Sequence, residues 1–231
     1  MDFAIFNMEG VAFLLRWLHI FFGIIWIGHL YYFNFVQGAF FNETDASTKS
    51  NAIQKLVPRA LWWFRWGAMW TFVTGLLLFG LYQGQGMVLA SAWGVQIGLG
   101  MSLATLMWAN VWFIIWPNQK IVIQSATQAA SGGQALPQAA AAGAKALLAS
   151  RTNVFFSIPM LFLMASARHL SVASSETSSY LLAYLIPLLV VLGFEANALK
   201  GKLGILTTVK GVLTSGFVAL LGFYVWIEFT L

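Results

Sequence analysis

Long apolar runs alternate with short polar stretches from one end of the chain to the other. Six runs are long enough to cross a bilayer as helices: roughly 11–36, 61–82, 93–116, 153–170, 180–199 and 205–228. A membrane-crossing helix needs about 20 mostly apolar residues, because the hydrocarbon core is about 30 Å thick and a helix rises about 1.5 Å per residue. The expected fold class is all-α, a polytopic membrane helix bundle of about six transmembrane helices. It forms a single integral membrane domain over residues 1–231. The first run is too long, and too rich in aromatics and histidine, for a cleaved signal peptide, and Asp2 and Glu9 stand where a basic leader is expected.

The connections differ in character. The 83–92 stretch, opening Gln83-Gly84-Gln85-Gly86, is short and uncharged. The 118–150 stretch is rich in Ala, Gln and Gly, which predicts an interfacial helix and a turn around Gly132-Gly133 and Pro137. The loops after spans one, three and five, with the adjoining helix ends, carry Lys49, Lys55, Arg59, Arg65, Lys120, Lys145, Arg151, Lys200, Lys202 and Lys210, ten of the twelve basic residues. The other side has only Arg16 and Arg168, together with Asp2, Glu9, Glu176 and Glu228. The positive-inside rule then puts the basic loops in the cytoplasm and both termini outside, which for a bacterium is the periplasmic face of the inner (cytoplasmic) membrane.

Composition agrees with this pattern. Hydrophobic residues make up 60% and charged residues 8%, against about 25% charged in a soluble domain. The net charge of +5 is spread between apolar segments, so it marks membrane topology rather than nucleic-acid binding. Cysteine is absent, which excludes disulfides, thiolate metal sites and covalent CxxCH haem attachment. No phosphate loop, nucleophile elbow or HExxH pattern supports hydrolysis. Pro159 and Pro187 lie in spans but not at matching positions of two halves, so transport has little support. Trp62, Trp63, Trp66 and Trp116 cluster at the predicted inner ends of spans two and three, where an aromatic belt accounts for them. Gly94, Gly98 and Gly100 predict close helix packing in span three.

Ionisable groups inside a span are costly and so point to function. His19 and His29 are both in span one and His169 ends span four. Ten positions separate His19 from His29, about 15 Å along the axis and roughly 80° around it. They can neither share a metal nor stack two haems on one face. Topology instead pairs His19 with His169 in the outer leaflet, each beside one of the two outward arginines, Arg16 and Arg168. Haem b takes axial histidine ligands and benefits from cations at its propionates, so these four residues are candidates for its site. His19 and His169 are the candidate iron ligands. Gly23, one turn from His19, leaves room for a flat macrocycle, and Trp26 continues that face. Other readings stand beside this one: arginines snorkel to headgroups, a lone histidine hydrogen-bonds a neighbouring helix, and Met160 or Met164 could replace His169 as ligand. Asn34, Asn110, Asn153, Glu195 and Asn197 are further polar groups within spans, and Lys200 and Lys202 predict an ion pair for Glu195.

Several motifs resemble one family. Arg16-Trp17-Leu18-His19 with Gly23 and the run Trp26-Ile27-Gly28-His29-Leu30-Tyr31-Tyr32-Phe33-Asn34-Phe35 are similar to the first span of the membrane-bound, cytochrome c-linked urate oxidases. So are Trp63-Phe64-Arg65-Trp66-Gly67-Ala68-Met69-Trp70-Thr71, Ile115-Trp116-Pro117-Asn118-Gln119-Lys120, Ala149-Ser150-Arg151-Thr152-Asn153 and Ser157-Ile158-Pro159-Met160-Leu161, with Glu195-Ala196-Asn197-Ala198-Leu199 compatible. More distantly, His19 and Trp26-x-Gly28 resemble the membrane protoporphyrinogen oxidases, which are haem proteins. The resemblance implies a membrane domain working in oxidation and passing electrons to a fused cytochrome c. This sequence reaches Leu231 directly after its sixth span and has no cysteine, so the expected electron acceptor is a separate cytochrome c or a quinone. The expected function is a haem-b-binding redox or electron-transfer protein, an oxidoreductase needing an external acceptor. The alternative is a non-catalytic structural or accessory subunit packed against other membrane subunits of a larger enzyme complex.

Overall fold

The computed structural model describes residues 3–84, 88–170 and 172–231. Asp2 and, in the predicted second connection, Gln85, Gly86 and Met87 lie outside the described residues. Six helices are long and apolar enough to cross a membrane: α1 (Met8–Glu43), α3 (Val57–Gly84), α4 (Ala92–Ala130), α5 (Ala139–His169), α6 (Tyr180–Lys200) and α7 (Val209–Thr230). A short polar helix, α2 (Ala46–Lys55), links the first two. The protein is an all-helical, multi-pass membrane bundle. Large apolar side chains such as Ile24, Phe113, Leu181, Val218 and Phe229 are exposed on the outer faces of the spans, a surface that lipid satisfies and water does not.

Side chains set the helix starts. Asn7 Oδ1 accepts from the Gly10 amide at 2.9 Å, and Glu9 adds an acidic group in the first turn of α1. Asp45 accepts from the Ser47 and Thr48 amides, both at 2.9 Å, to begin α2. Ser91 and Thr208 cap α4 and α7 through the Gly94 and Gly211 amides at 3.0 Å. Each glycine lies in a tight return of the chain. A Cβ on Gly94 would collide with the Leu89 carbonyl, and one on Gly211 with that of Ile205. Gly94 therefore serves the turn before α4, whereas Gly98 and Gly100 serve helix packing as expected. Methyl groups there would come 3.2 Å from Tyr184 of α6 and 3.2 Å from Met164 of α5.

Three helices run further than the apolar pattern implies: α5 begins at Ala139 rather than near 153, and α1 and α4 run on at their C-terminal ends. α1 continues to Glu43 through a π-helical segment, Tyr32–Gln37, in which the Gly38 amide reaches back to the Phe33 carbonyl. α4 continues past Pro117 through a second, Asn110–Ile115, in which the Trp116 amide reaches back to Val111. A proline inside an α-helix lacks the N–H and clashes with the carbonyl four residues back. The wide turn just before Pro117 leaves it at the start of a fresh α-helical stretch, Trp116–Ala130, where both defects are tolerated. The predicted 118–150 connection is thus mostly helix, and its turn covers only residues 131–138, with Gly132 at φ +87°.

α5 is the hub. Its most apolar window is 67% buried, against 17–39% for the other spans, and it packs on α1, α4, α6 and α7. α1 lies mainly along α3. The α1–α3 approach is close because Gly67 has no side chain. A Cβ there would be 3.0 Å from the Trp26 amide nitrogen and 3.0 Å from Ile25 Cγ2. Trp26, Leu30, Phe64, Leu103, Met107, Phe155 and Phe156 fill the interior.

Candidate functional site

His19 points from α1 into the α1–α3 interface. Its Nδ1 is 2.9 Å from the Thr71 carbonyl oxygen and 3.2 Å from Thr74 Oγ1. A carbonyl only accepts, so Nδ1 carries the proton and donates it. The Thr74 hydroxyl in turn donates to the Trp70 carbonyl at 2.6 Å. Nε2 is left without a hydrogen-bond partner among the described residues. Metal-bound histidines are commonly prepared this way, with the second nitrogen donating to a backbone carbonyl that fixes tautomer and ring orientation. Gly75 makes the arrangement possible, since a methyl group there would lie 3.0 Å from His19 Cε1 and 3.4 Å from Nδ1.

The other predicted residues fall into two groups. Arg16, exposed one turn before His19, donates to the Tyr82 hydroxyl of α3. Gly23 also faces α3, where a Cβ would touch Thr71 Cγ2 at 3.9 Å. The space beside Gly23 is thus bounded by α3. Trp26 is buried against α3, and its indole nitrogen has no hydrogen-bond partner among the described residues. Arg168 and His169 occupy the exposed last turn of α5. No hydrogen bond among the described residues joins either of them to His19 or Arg16. Of the alternative ligands, Met160 is buried in the core and Met164 packs on Gly100 of α4. His29 donates Nδ1–H to the Ile25 carbonyl of its own helix at 2.7 Å. Among the described residues, no group of three or more His, Cys, Asp or Glu side chains is assembled that could hold a metal ion by itself.

The helix partner of His19 has a signature of its own in the sequence, one that the histidine and arginine pattern does not include. Thr71, Thr74 and Gly75 follow the spacing i, i+3, i+4, which places two hydroxyls and a gap on one face of α3. That face is where an imidazole from a neighbouring helix can dock.

The intramembrane asparagines form a second polar layer, about 15 residues and hence about 22 Å further along α1. Asn34, within the first π-segment, donates to the Leu30 carbonyl and to Ser150 Oγ of α5, both at 2.8 Å. Asn110, opening the second, donates to Asn153 Oδ1 of α5 and to Glu195 Oε2 of α6, both at 2.9 Å. Asn153 donates to the Met107 carbonyl at 2.9 Å. The expected ion pair of Glu195 with Lys200 or Lys202 is therefore corrected. Glu195 points inward to Asn110, while both lysines are exposed, because a lysine stem at a helix end reaches water more easily than it enters a packed bundle. Asn197 instead ties off the end of α6, donating to the Lys202 carbonyl at 3.0 Å. Trp62, Trp63 and Trp66 are exposed on the bundle surface, as a belt requires, and Trp116 is half-buried with the Arg65 guanidinium 3.5 Å from its ring centroid.

Searches of curated proteins and of solved structures found no match. The family model described as urate oxidase N-terminal matches residues 84–220, more than half of the chain. The match takes in His169, Arg151, Asn153 and Glu195, and leaves His19 and its partners on α3 to its N-terminal side. With six membrane-spanning helices and that extent of agreement, the chain belongs to the urate oxidase N-terminal family.

Proposed function

We propose that the protein is a haem-b-binding redox protein of the bacterial cytoplasmic membrane in which His19 Nε2 is an axial ligand. The observation that carries this reading is the fixed imidazole. A histidine half-buried in a membrane span, with Nδ1–H anchored on the Thr71 carbonyl and its ring seated over Gly75, presents a free Nε2 in one orientation. Arg16, which donates to Tyr82, would meet the propionates, and His169 with Arg168 would be the second pair of residues to hold the group. A haem b held there would supply a one-electron iron couple. The Thr71 carbonyl and the gap at Gly75 orient the imidazole and engage its Nδ1–H. A separate cytochrome c or a quinone takes the electron, and the family likeness makes urate the first donor to try.

The test is a reduced-minus-oxidised absorption spectrum of the purified protein, repeated for His19→Ala and His169→Ala. A b-type spectrum that disappears in His19→Ala, with the protein still inserted and helical, supports the reading. A colourless wild-type protein of full helical content sinks it and favours a non-catalytic subunit. Urate-dependent reduction of the pigment then decides the substrate.

A further inference from the structure

The polar layer at the other end of the bundle holds two arginines without counter-ions among the described residues. Arg65 of α3 and Arg151 of α5 are both half-buried, on helices packed against residues 110–130 of α4. No salt bridge to either is formed among the described residues, and the buried carboxylate of the layer, Glu195, is engaged by Asn110. The buried Nε of Arg65, and the buried Nε and Nη1 of Arg151, have no hydrogen-bond partner among the described residues. Leaving such donors buried and unpaired is costly, more so when they are charged. Nε with Nη2, the amino nitrogen on the side away from Cδ, is the edge of a guanidinium that binds an oxyanion side-on through two parallel hydrogen bonds, and on both arginines the Nε of that edge is unpartnered among the described residues.

The surroundings hold the Arg65 guanidinium and fix the helix positions of both arginines. The Arg65 guanidinium lies 3.5 Å from the Trp116 ring centroid and 5.7 Å from that of Trp112, so stacking holds its plane and leaves its edge free. The Trp112 indole nitrogen is likewise buried without a partner. Asn34 bonds Ser150, the residue before Arg151, and so fixes the first π-segment to this part of α5. Phe33 of the same segment packs edge-on against Phe64, the residue before Arg65, at 5.4 Å. Both π-segments therefore lie in this layer, and such wide turns are frequent at functional sites. Exposed Trp62, Trp63 and Trp66 mark the level as a membrane interface.

We propose that Arg65 and Arg151, with the Trp112 indole, form an anion-binding site for a phosphate group, distinct from the His19 region. Two unpaired positive charges with free side-on edges, half-open to the bundle surface, match an oxyanion and no neutral ligand. An anionic phospholipid headgroup and free phosphate share this chemistry. The proposal does not depend on the haem assignment.

Thermal unfolding of the full chain in neutral detergent tests it, with titration by phosphatidylglycerol, by phosphatidylcholine as control, and by sodium phosphate against chloride at matched ionic strength. The expected result is a saturable rise in Tm with phosphatidylglycerol, and an apparent affinity about tenfold weaker in Arg65→Gln and in Arg151→Gln, as for losing one charge-assisted contact. A rise with phosphate as well extends the site to soluble anions, whereas a rise with phosphatidylglycerol alone assigns it to lipid. Arg65→Lys and Arg151→Lys keep the charge but lose the fork, and are expected to bind about threefold more weakly. Absence of a saturable rise with either phosphate source in the wild type overturns the proposal. So does a response of unchanged affinity in the Lys variants.

Discussion

His19 Nδ1 donates to the backbone carbonyl of Thr71 at 2.9 Å, across the interface between the first and second spans. The acceptor is main chain, so no side-chain substitution removes it. What can be altered is the room around the ring and the second partner. Gly75→Ala puts a methyl group 3.0 Å from His19 Cε1, a contact tight enough that the ring must shift by a few tenths of an ångström, which misaligns Nδ1–H on the Thr71 carbonyl. The expected outcome is an inserted, helical protein whose pigment content falls severalfold. Thr74→Ala leaves the Thr71 bond in place and is expected to cost only about 1 kcal/mol in unfolding.

Two glycines of the first two spans, Gly67 in their interface and Gly28 on the exposed face of α1, are predicted to differ in sign. Gly67 touches the Trp26 backbone, so Gly67→Leu wedges α1 from α3 at a cost of about 1–3 kcal/mol, as for other overpacked sites. A Cβ on Gly28 would meet nothing within 4 Å, so Gly28→Ala is expected to stabilise by about 0.5–1 kcal/mol through helix propensity. Thermal unfolding in detergent measures both, and a destabilised Gly28→Ala contradicts the account.

Asn110 serves two acceptors, one on α5 and one on α6. Asn110→Leu strands both in the interior, for an expected loss of about 1–3 kcal/mol. A double-mutant cycle with Glu195→Gln is expected to return a coupling of at least about 0.5 kcal/mol. Additive effects of the two substitutions are the adverse result.

Outside the membrane spans, hydrogen bonds from the Ser47 and Thr48 side chains and from the Thr48 amide hold the Asp45 carboxyl well below the usual carboxylate range. A carboxyl with a depressed folded-state pKa stabilises the fold above its unfolded pKa of about 3.9 and loses that contribution as pH falls through the lower folded value. The start of α2 is therefore expected to stay intact through mildly acidic conditions and to fray only under strong acid. Asp45→Asn, which keeps a capping oxygen but cannot titrate, is expected to abolish that acid dependence. Amide exchange at Ser47 and Thr48 against pH reports it.

The distribution of basic residues predicts orientation, and the chain has no cysteine to interfere with labelling. Single cysteines at Ser47 and at Thr177 are expected to react from opposite sides of the membrane, Ser47→Cys only when the cytoplasmic face is accessible and Thr177→Cys from outside. Reaction of both from the same side refutes the six-span topology.

Much of this molecule is legible in the order of its residues. A membrane span is a local property of about 20 consecutive residues, so the apolar runs alone locate six helices to within a few residues at most ends. They mislead where a local rule is overridden. Pro117 reads as a stop, yet the preceding π-turn lets α4 continue to Ala130, and the polar residues after 36 read as loop although α1 runs on to Glu43.

Histidine inside a span marks His19 as a candidate by sequence alone, because its cost in lipid demands a reason. Its state is not legible that way. The carbonyl that sets its tautomer is 52 positions away, and the glycine that admits its ring is on the same distant helix. Lysines near Glu195 suggest an ion pair, but the helix rotation that turns this carboxylate to Asn110, 85 positions off, is decided by packing of α6 against α4. The same holds for Arg65 and Arg151, which read as ordinary inner-loop cations until Trp116 and the unpaired guanidinium nitrogens are placed beside them. Hydrophobic runs and charge counts along one chain determine how many helices cross and which way they are expected to face. Which faces meet depends on side-chain volumes from several helices at once, and only the tertiary structure brings those together.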